Sequence, residues 1–305
     1  MTTSHNGYAG HDDGRPAGTP TTLGGDVCPV CCGPAPARAD LGDFTLFECR
    51  RCRSWSSDAL VREAATTFEP DHYFGNAASD RDKWDDALRR VPAGPIGRIL
   101  DVGCGNGAFL SFAAGRFPEA TLEGIELDDD RAQEARRLLP TARVHVGDAL
   151  EQLRHLSDRY DLITLWDVFE HVAEPSALLE QLAGRLSPTG AICIQTIHGR
   201  SLLPAIGRLV YRLSAGRVSY PARRTHEAHH LVFFSRDGLE ISAGAAGLRI
   251  HDLWYDRLAR QRMDGHPLVT AAAAGLLAAE NSLGNGLFVS VVLTRADASV
   301  TGGER

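Results

Sequence analysis

The chain has 305 residues, 43% of them apolar and 23% charged, with a formal net charge of −7. This suffices for one sizeable core plus a small accessory module, and the acidic balance, with a sequence pI near 5.9, argues against a broad phosphate-tracking face. No run approaches the roughly 20 apolar residues of a membrane span, because the apolar stretch that opens at Leu268 meets Glu280 and Asn281.

Residues 1–26 are polar, Gly- and Thr-rich, and lack the apolar centre of a signal peptide. They read as a disordered tail with His5 and His11 inert, and the protein reads as cytoplasmic. Next come Cys28-Pro-Val-Cys31 and Cys49-Arg-Arg-Cys52, two C-x2-C knuckles 17 residues apart, the spacing of a four-thiolate zinc ribbon over residues 27–60. Zinc would contribute on the order of 10 kcal/mol to a segment too short to bury a core of its own. A closed site of Cys28, Cys31, Cys49 and Cys52 has no open coordination position, so its role would be structural. Cys32 reads as a bystander that could replace Cys31, and Cys104 and Cys193 as core thiols. Arg50, Arg51 and Arg53 give the ribbon a local basic edge that could face substrate, protein or nucleic acid. A linker and helical segment, residues 61–95, carries His72, Tyr73 and Phe74 and then a helix through Trp84, with aromatics suited to a seam between domains. Its Lys83 is the single lysine against 31 arginines, a bias that a GC-rich genome produces and that argues against catalytic-lysine chemistry.

From Ile99 the pattern is a buried strand running into Gly103-Cys-Gly-Asn-Gly107. Glycines at 103, 105 and 107 let the backbone reach φ > 0 at a strand-to-helix turn and let a ligand lie against main-chain N–H groups. The Gly-x-Gly-x-Gly spacing differs from the Gly-x-Gly-x-x-Gly of dinucleotide sites and points to another adenosine ligand. A second strand, Thr121–Leu127, ends in Glu126, 25 residues after Asp101, where a carboxylate can hold both ribose hydroxyls. Asp128 caps a helix to Leu139, a third strand covers Ala142–Val146, and Asp148 with Ala149 can meet an adenine ring. Tyr160–Trp166 reads as a fully buried fourth strand. Gly190–Thr196, Arg249–Tyr255 and Gly286–Thr294 supply three more, with helices at Arg236–Ala246 and Pro267–Leu283, and residues 295–305 form a frayed tail.

The runs ILDVGCGNGAF at 99–109, GIEL at 124–127, GDAL at 147–150 and YDLITLWDVFEHVAEP at 160–175, in this order, resemble the class I S-adenosylmethionine-dependent methyltransferases over 96–294. The resemblance implies an α/β, Rossmann-like seven-stranded sheet of order 3-2-1-4-5-7-6 beside the zinc ribbon. It implies S-adenosylmethionine held by Asp101, Gly103, Gly105, Asn106 and Gly107 at the methionine half, Glu126 and Leu127 at the ribose, and Asp148 and Ala149 at the adenine. Trp166 would floor the sulfonium and the 61–95 helix would cover the cofactor. The Asn/Asp-Pro-Pro-Tyr tetrapeptide of amide and adenine N-methyltransferases is absent, which favours an oxygen, and after it a carbon, of a small-molecule acceptor such as a sugar or secondary metabolite. An RNA methyltransferase that reads through its ribbon, and a non-catalytic cofactor-binding scaffold, stand as alternatives.

Two regions offer a base. Asp167-x-x-Glu170-His171 follows strand four and resembles a segment of the ubiquinone-pathway O-methyltransferases that implies a divalent ion such as Mg²⁺; the competing reading is that Glu170 and His171 cap a helix and hydrogen-bond to the backbone. His226, His229 and His230 lie in an insertion at 197–234, where His230-Leu-Val-Phe-Phe-Ser235 resembles sugar and small-molecule methyltransferases; His229 or His230 is the expected base. Between His198 and His226 there are six arginines and no acid, and Leu202, Leu203, Ile206, Leu209, Val210 and Leu213 recur at helical spacing. This fits a lid with arginines for an anionic acceptor, a peripheral membrane contact through 201–214, or a solvated face, with the lid preferred. Oligomeric state leaves no mark on the sequence.

Overall fold

The computed structural model describes residues 26–58, 77–226, 229–256 and 267–296. The expected tails at 1–25 and 297–305, and His72, Tyr73 and Phe74, lie outside the described residues. The chain begins with a small antiparallel sheet, β1 (Ala37–Asp40), β2 (Thr45–Glu48) and β3 (Trp55–Ser57). Helix α1 (Ala77–Arg90) then leads into alternating strands and helices: β4 (Arg98–Val102), α2 (Ala108–Arg116), β5 (Thr121–Glu126), α3 (Asp129–Leu138), β6 (Arg143–Val146), α4 (Ala149–His155), β7 (Tyr160–Trp166), a 3₁₀ turn (Phe169–His171), α5 (Pro175–Arg185) and β8 (Leu186–Ile197). The insertion folds as α6 (Leu202–Leu213), α7 (Tyr220–Thr225) and a two-residue strand β9 (Val232–Phe233); α8 (Arg236–Ala245), β10 (Leu248–Asp256), α9 (Pro267–Ser282) and β11 (Phe288–Arg295) complete the fold.

The large sheet runs β10-β11-β8-β7-β4-β5-β6, with β11 antiparallel between β8 and β10 and the remaining pairs parallel. In order of appearance this is the expected 3-2-1-4-5-7-6. Because side chains alternate along a strand, neighbours fall into different cores. Leu100, Val102, Ile163, Leu165, Ile192 and Ile194 join one buried cluster, whereas Ile99, Leu162, Ala191 and Cys193 join the other. The first cluster takes in α5, α8 and the ribbon; the second takes in Trp84 of α1, Phe109 of α2 and Ala132 and Ala135 of α3. Both faces are therefore covered, which is why Tyr160–Trp166 is a near-continuous apolar run.

Local chemistry sets the boundaries. Asp128 caps α3 by accepting the Arg131 N–H at 3.0 Å, with Asp129 and Asp130 in the first turn and Arg136 and Arg137 in the last, complementing the helix dipole. Ser235 caps α8 through the Gly238 N–H at 2.9 Å. Strand β8 starts at Leu186 rather than Gly190, since Leu186 registers with Tyr160 before a bulge.

Two expectations change in the insertion. Helix α6 packs on α7, α9 and β1, with Pro204 and Gly207 inward, and much of its apolar stripe faces solvent: Leu209 is 48% exposed and Leu213 76%, with Ile206 exposed beside them. Its inward cation is Arg208, stacked 4.3 Å over the Trp55 ring and hydrogen-bonded to His226 at 2.9 Å. The second change is β9, which pairs with β3 and gives the ribbon sheet the order β1-β2-β3-β9. The ribbon is thus completed by a strand from the insertion after β8.

Candidate active site

The glycine loop stands at the carboxyl end of β4, where ligands bind in open α/β sheets. Gly103, Gly105 and Gly107 have φ of +72°, +53° and +83°. Their surroundings differ. A Cβ on Gly103 would collide with Val168, and one on Gly107 would lie 3.0 Å from the Ala135 Cβ, whereas one on Gly105 meets nothing within 4 Å. Gly103 and Gly107 allow the loop to pack against the protein; Gly105 faces open space.

Glu126 organises that loop. Its Oε2 accepts the Gly105 N–H at 2.7 Å and its Oε1 accepts the Asp128 N–H at 3.0 Å, and each oxygen keeps acceptor capacity toward the cleft. Leu127 is exposed beside it, and Asn106 Oδ1 accepts the Ala108 N–H at 3.3 Å at the start of α2. Asp148 caps α4 through the Glu151 N–H at 3.1 Å, with Ala149 as the first helical residue. Asp101 is buried beneath the loop, where its Oδ1 accepts the Thr164 hydroxyl at 2.7 Å, and burial pushes its carboxyl up to about 7. Trp166 at the end of β7 packs against Phe109, with ring centroids 5.4 Å apart.

Beyond β7 the two sequence regions that offered a base come together. The His171 ring centroid is 5.5 Å from that of His229 and 4.8 Å from that of His230, and His229 and His230 are 4.2 Å apart. The His171 Nδ1 is 2.9 Å from the His229 carbonyl, and the Leu231 N–H donates to the Glu170 carbonyl at 2.9 Å. Glu170 is fully buried; its Oε2 accepts the Thr196 hydroxyl at 2.8 Å, and burial, reinforced by the neighbouring Asp167 charge, pushes its carboxyl up to about 8. Of the competing reading for Glu170 and His171, the bond to backbone is present, from His171 to His229, but it joins the 3₁₀ turn to the insertion, and the following helix has Glu174 at its N-cap instead. His226 stays apart: it ends α7 against Arg208, and burial lowers it to about 3.

Lys83, set aside in the sequence, lies in this cleft. Its Nζ is 3.2 Å from Asp167 Oδ2, 3.7 Å from Asp80 Oδ1 and 5.7 Å from the Trp166 ring centroid. Asp167 adopts φ +55° to turn the chain after β7, and no local pattern marks a partner 84 residues away. Four of the buried polar atoms without a hydrogen-bond partner among the described residues fall here: Trp166 Nε1, Asp167 Oδ1, Glu170 Oε1 and His230 Nε2.

In the ribbon, Cys28, Cys31, Cys49 and Cys52 are buried with their sulfurs all within 4.8 Å of one another, while Cys32 is exposed and outside the cluster. Cys28 and Cys52 are 3.6 Å apart and Cys31 and Cys49 3.4 Å, close to the edge of a tetrahedron of sulfurs around one ion. The N–H groups of Val30 and Cys52 donate to the sulfurs of Cys28 and Cys49 at 3.4 and 3.3 Å.

A family model described as "Methyltransferase domain" matches residues 76–253, more than half of the chain. The chain belongs to that family. It is 28% identical over 232 residues to the ubiquinone biosynthesis O-methyltransferase of Aeromonas salmonicida, covering 71% of this chain and 85% of that one. It is 29% identical over 194 residues to a dTDP-3-amino-3,6-dideoxy-alpha-D-glucopyranose N,N-dimethyltransferase of Streptomyces fradiae, covering 54% and 74%. The methyltransferase spans less than half the length of the trans-aconitate 2-methyltransferase of Rhizobium meliloti, to which it is 34% identical over 110 residues, 36% of this chain and 42% of that one. Among solved structures, the plantazolicin methyltransferase BpumL with S-adenosylhomocysteine aligns at TM-score 0.53 and 18% identity over 78% of this chain and 95% of that one. A methyltransferase from Archaeoglobus fulgidus aligns at 0.51 and 16% over 74% and 97%. These two likenesses bear on the fold. Among the described residues no helix is long and apolar enough to cross a membrane.

Proposed function

We propose that the methyltransferase moves a methyl group from S-adenosylmethionine to an oxygen of a small-molecule acceptor such as a sugar or secondary metabolite. The observation that carries this reading is the convergence of His171, His229 and His230 after β7, with Glu170 Oε1 and His230 Nε2 buried and without a hydrogen-bond partner among the described residues. The sulfonium brings the methyl already activated, so orientation supplies most of the acceleration, roughly 7–11 kcal/mol. Glu126 would accept the ribose hydroxyls, Asp148 and Ala149 would border the adenine, and the Gly105 backbone would lie against the methionine half. An acceptor hydroxyl must also lose its proton, a step worth about 10²–10⁴-fold for a well-placed base. His229 or His230 would take it; burial keeps the His230 imidazole well below the ordinary histidine range, which weakens it as a base.

The relatives named for ubiquinone biosynthesis and for a nucleotide-linked amino sugar support a small acceptor, and the second keeps an amine nitrogen as the other reading. Against RNA, Arg51 donates to the Cys31 carbonyl at 3.2 Å and Arg53 faces Glu48 at 3.6 Å, which reduces the free basic edge of the ribbon. The four cysteines fit Zn²⁺, which would close the ribbon as a structural ion. Mg²⁺ fits the cleft poorly: it takes oxygen ligands, the grouped donors are Glu170 and two imidazoles, and Asp167 is paired with Lys83. No step is assigned to it.

Methyl-labelled S-adenosylmethionine and a host extract split into small-molecule, RNA and protein fractions test the reading, with Asp101→Ala and the double variant His229→Ala/His230→Ala as controls. Label confined to small molecules, and lost in both controls, is the expected result. Label in RNA, or undiminished transfer by the histidine variant, overturns it.

A further inference from the structure

We infer that the four-cysteine ribbon acts on catalysis by holding the His229–His230 loop in place, with Ser57 as the positioning residue that joins them. This rests on the reading of those histidines as the acceptor-side pair. The loop has little structure of its own, since β9 is two residues long and its sheet partner among the described strands is β3 of the ribbon. Trp55 registers with Phe233 and Ser56 with Val232, the Ser57 N–H donates to the Leu231 carbonyl at 3.0 Å, and the Ser57 hydroxyl donates to the His230 carbonyl at 3.0 Å.

The bonds on either side tie this strand directly to the metal-ligand knuckles. The Ser235 hydroxyl donates to the carbonyl of Cys52, one of the four ligands, and the Ser235 N–H donates to Ser54 Oγ at 3.1 Å. In the other knuckle the Val30 carbonyl accepts hydroxyls from Ser176 of α5, at 2.9 Å, and Ser242 of α8, at 3.3 Å. On its far side the strand meets the catalytic sheet: Phe234 bridges His198 just past β8 and stacks on Phe169 with ring centroids 4.5 Å apart. The histidine loop is clamped between the ribbon and the end of β8.

Metal binding is folding free energy for a ribbon of this size, so removing the ion melts β3 and leaves β9 unpaired. The cofactor loop has ties that do not pass through the ribbon, since Gly105 is held by Glu126 of β5 and Gly107 backs onto Ala135 of α3. Loss of the ion should therefore abolish methyl transfer while leaving S-adenosylhomocysteine affinity within about twofold.

Hydrogen exchange on the full-length metal-loaded protein, before and after chelation, tests this without knowledge of the acceptor. The expected result is that peptides over 229–235 lose protection together with those over 26–58, while peptides over β4 and β5 do not. If 229–235 stays protected once the ribbon has opened, the inference is overturned. Since chelation can also unfold more than the ribbon, Ser57→Ala supplies a second test with all four cysteines present. It should keep full metal content and cofactor affinity, lose protection over 229–235 and lower methyl transfer in the extract assay, with Ser57→Thr restoring both. Unchanged exchange in Ser57→Ala, or no recovery with threonine, overturns Ser57 as the link. Should the histidine variants retain turnover while the exchange coupling holds, the catalytic reading fails and the coupling stands.

Discussion

Replacing Gly105 by alanine separates ligand contact from stability better than any other change in the loop. The new methyl would meet nothing within 4 Å, so its cost in the free protein is the left-handed backbone alone, at φ +53°. That cost is about 1–2 kcal/mol, which lowers the melting temperature by about 2–8 °C for a domain of this size. The space it enters is where the proposed function puts the methionine half of the cofactor, and S-adenosylhomocysteine should bind at least about tenfold more weakly, a loss of about 1.4 kcal/mol. Gly107→Ala carries the same backbone penalty at φ +83° and also drives a methyl to 3.0 Å from the Ala135 Cβ and 3.1 Å from its Cα. Overpacking there adds about 1–3 kcal/mol, so Gly107→Ala should melt lower than Gly105→Ala but bind with less impairment. Titration calorimetry and thermal unfolding on both variants read the two quantities. Were Gly105→Ala to bind within twofold of the native protein, the assignment of the open side of the loop to the cofactor would be wrong.

Asp101, lifted by burial to about 7, keeps a proton that the unfolded chain releases near pH 4. Its contribution to stability is full below about pH 4 and is lost as pH rises through about 7, so Asp101→Asn should flatten the fall in urea midpoint between pH 4 and 8; superimposable pH profiles would refute this. Lys83 is the only lysine, so reductive methylation reports on it alone apart from the N-terminus. S-Adenosylhomocysteine should slow that modification and Asp167→Asn should speed it, and a rate indifferent to both would remove Lys83 from the cleft. The outward stripe of α6, flanked by Arg212 and Arg217, should bring the protein up with phosphatidylglycerol vesicles but not phosphatidylcholine vesicles in flotation, and Leu209→Asp/Leu213→Asp should abolish it. Equal recovery of that variant would show that the stripe is not the contact.

The parts legible in the sequence are those whose physics is local or periodic. Tyr160–Trp166 declared itself because a strand covered on both faces is apolar along most of its length, and Asp128 because a cap acts within one turn. The beginning of β8 lies at Leu186 and not at the expected Gly190, because Leu186 is held by register with Tyr160 across a bulge, a partner far away in sequence. The preferred lid reading of α6 rests on an inward apolar stripe, but here Pro204, Gly207 and the Arg208–Trp55 stack take the inner face and leave the membrane-contact reading the better fit. Within the site, the meeting of Glu170 and His171 with His229 and His230, and of Lys83 with Asp167, depends on chain crossings that no spacing rule encodes.

The bond from Ser57 to His230 spans 173 residues, and this bears on how the protein is made. On the ribosome the cysteines emerge first and can capture their ion early, but the outer edge of β3 then waits, at about 5–20 residues per second, roughly ten to thirty seconds for its partner strand. During that interval a nascent chain displays an unpaired strand edge able to join with a neighbour's. A pause or truncation upstream of residue 232 would prolong that exposure. Expression yield should then depend on how quickly the second half of the message is read.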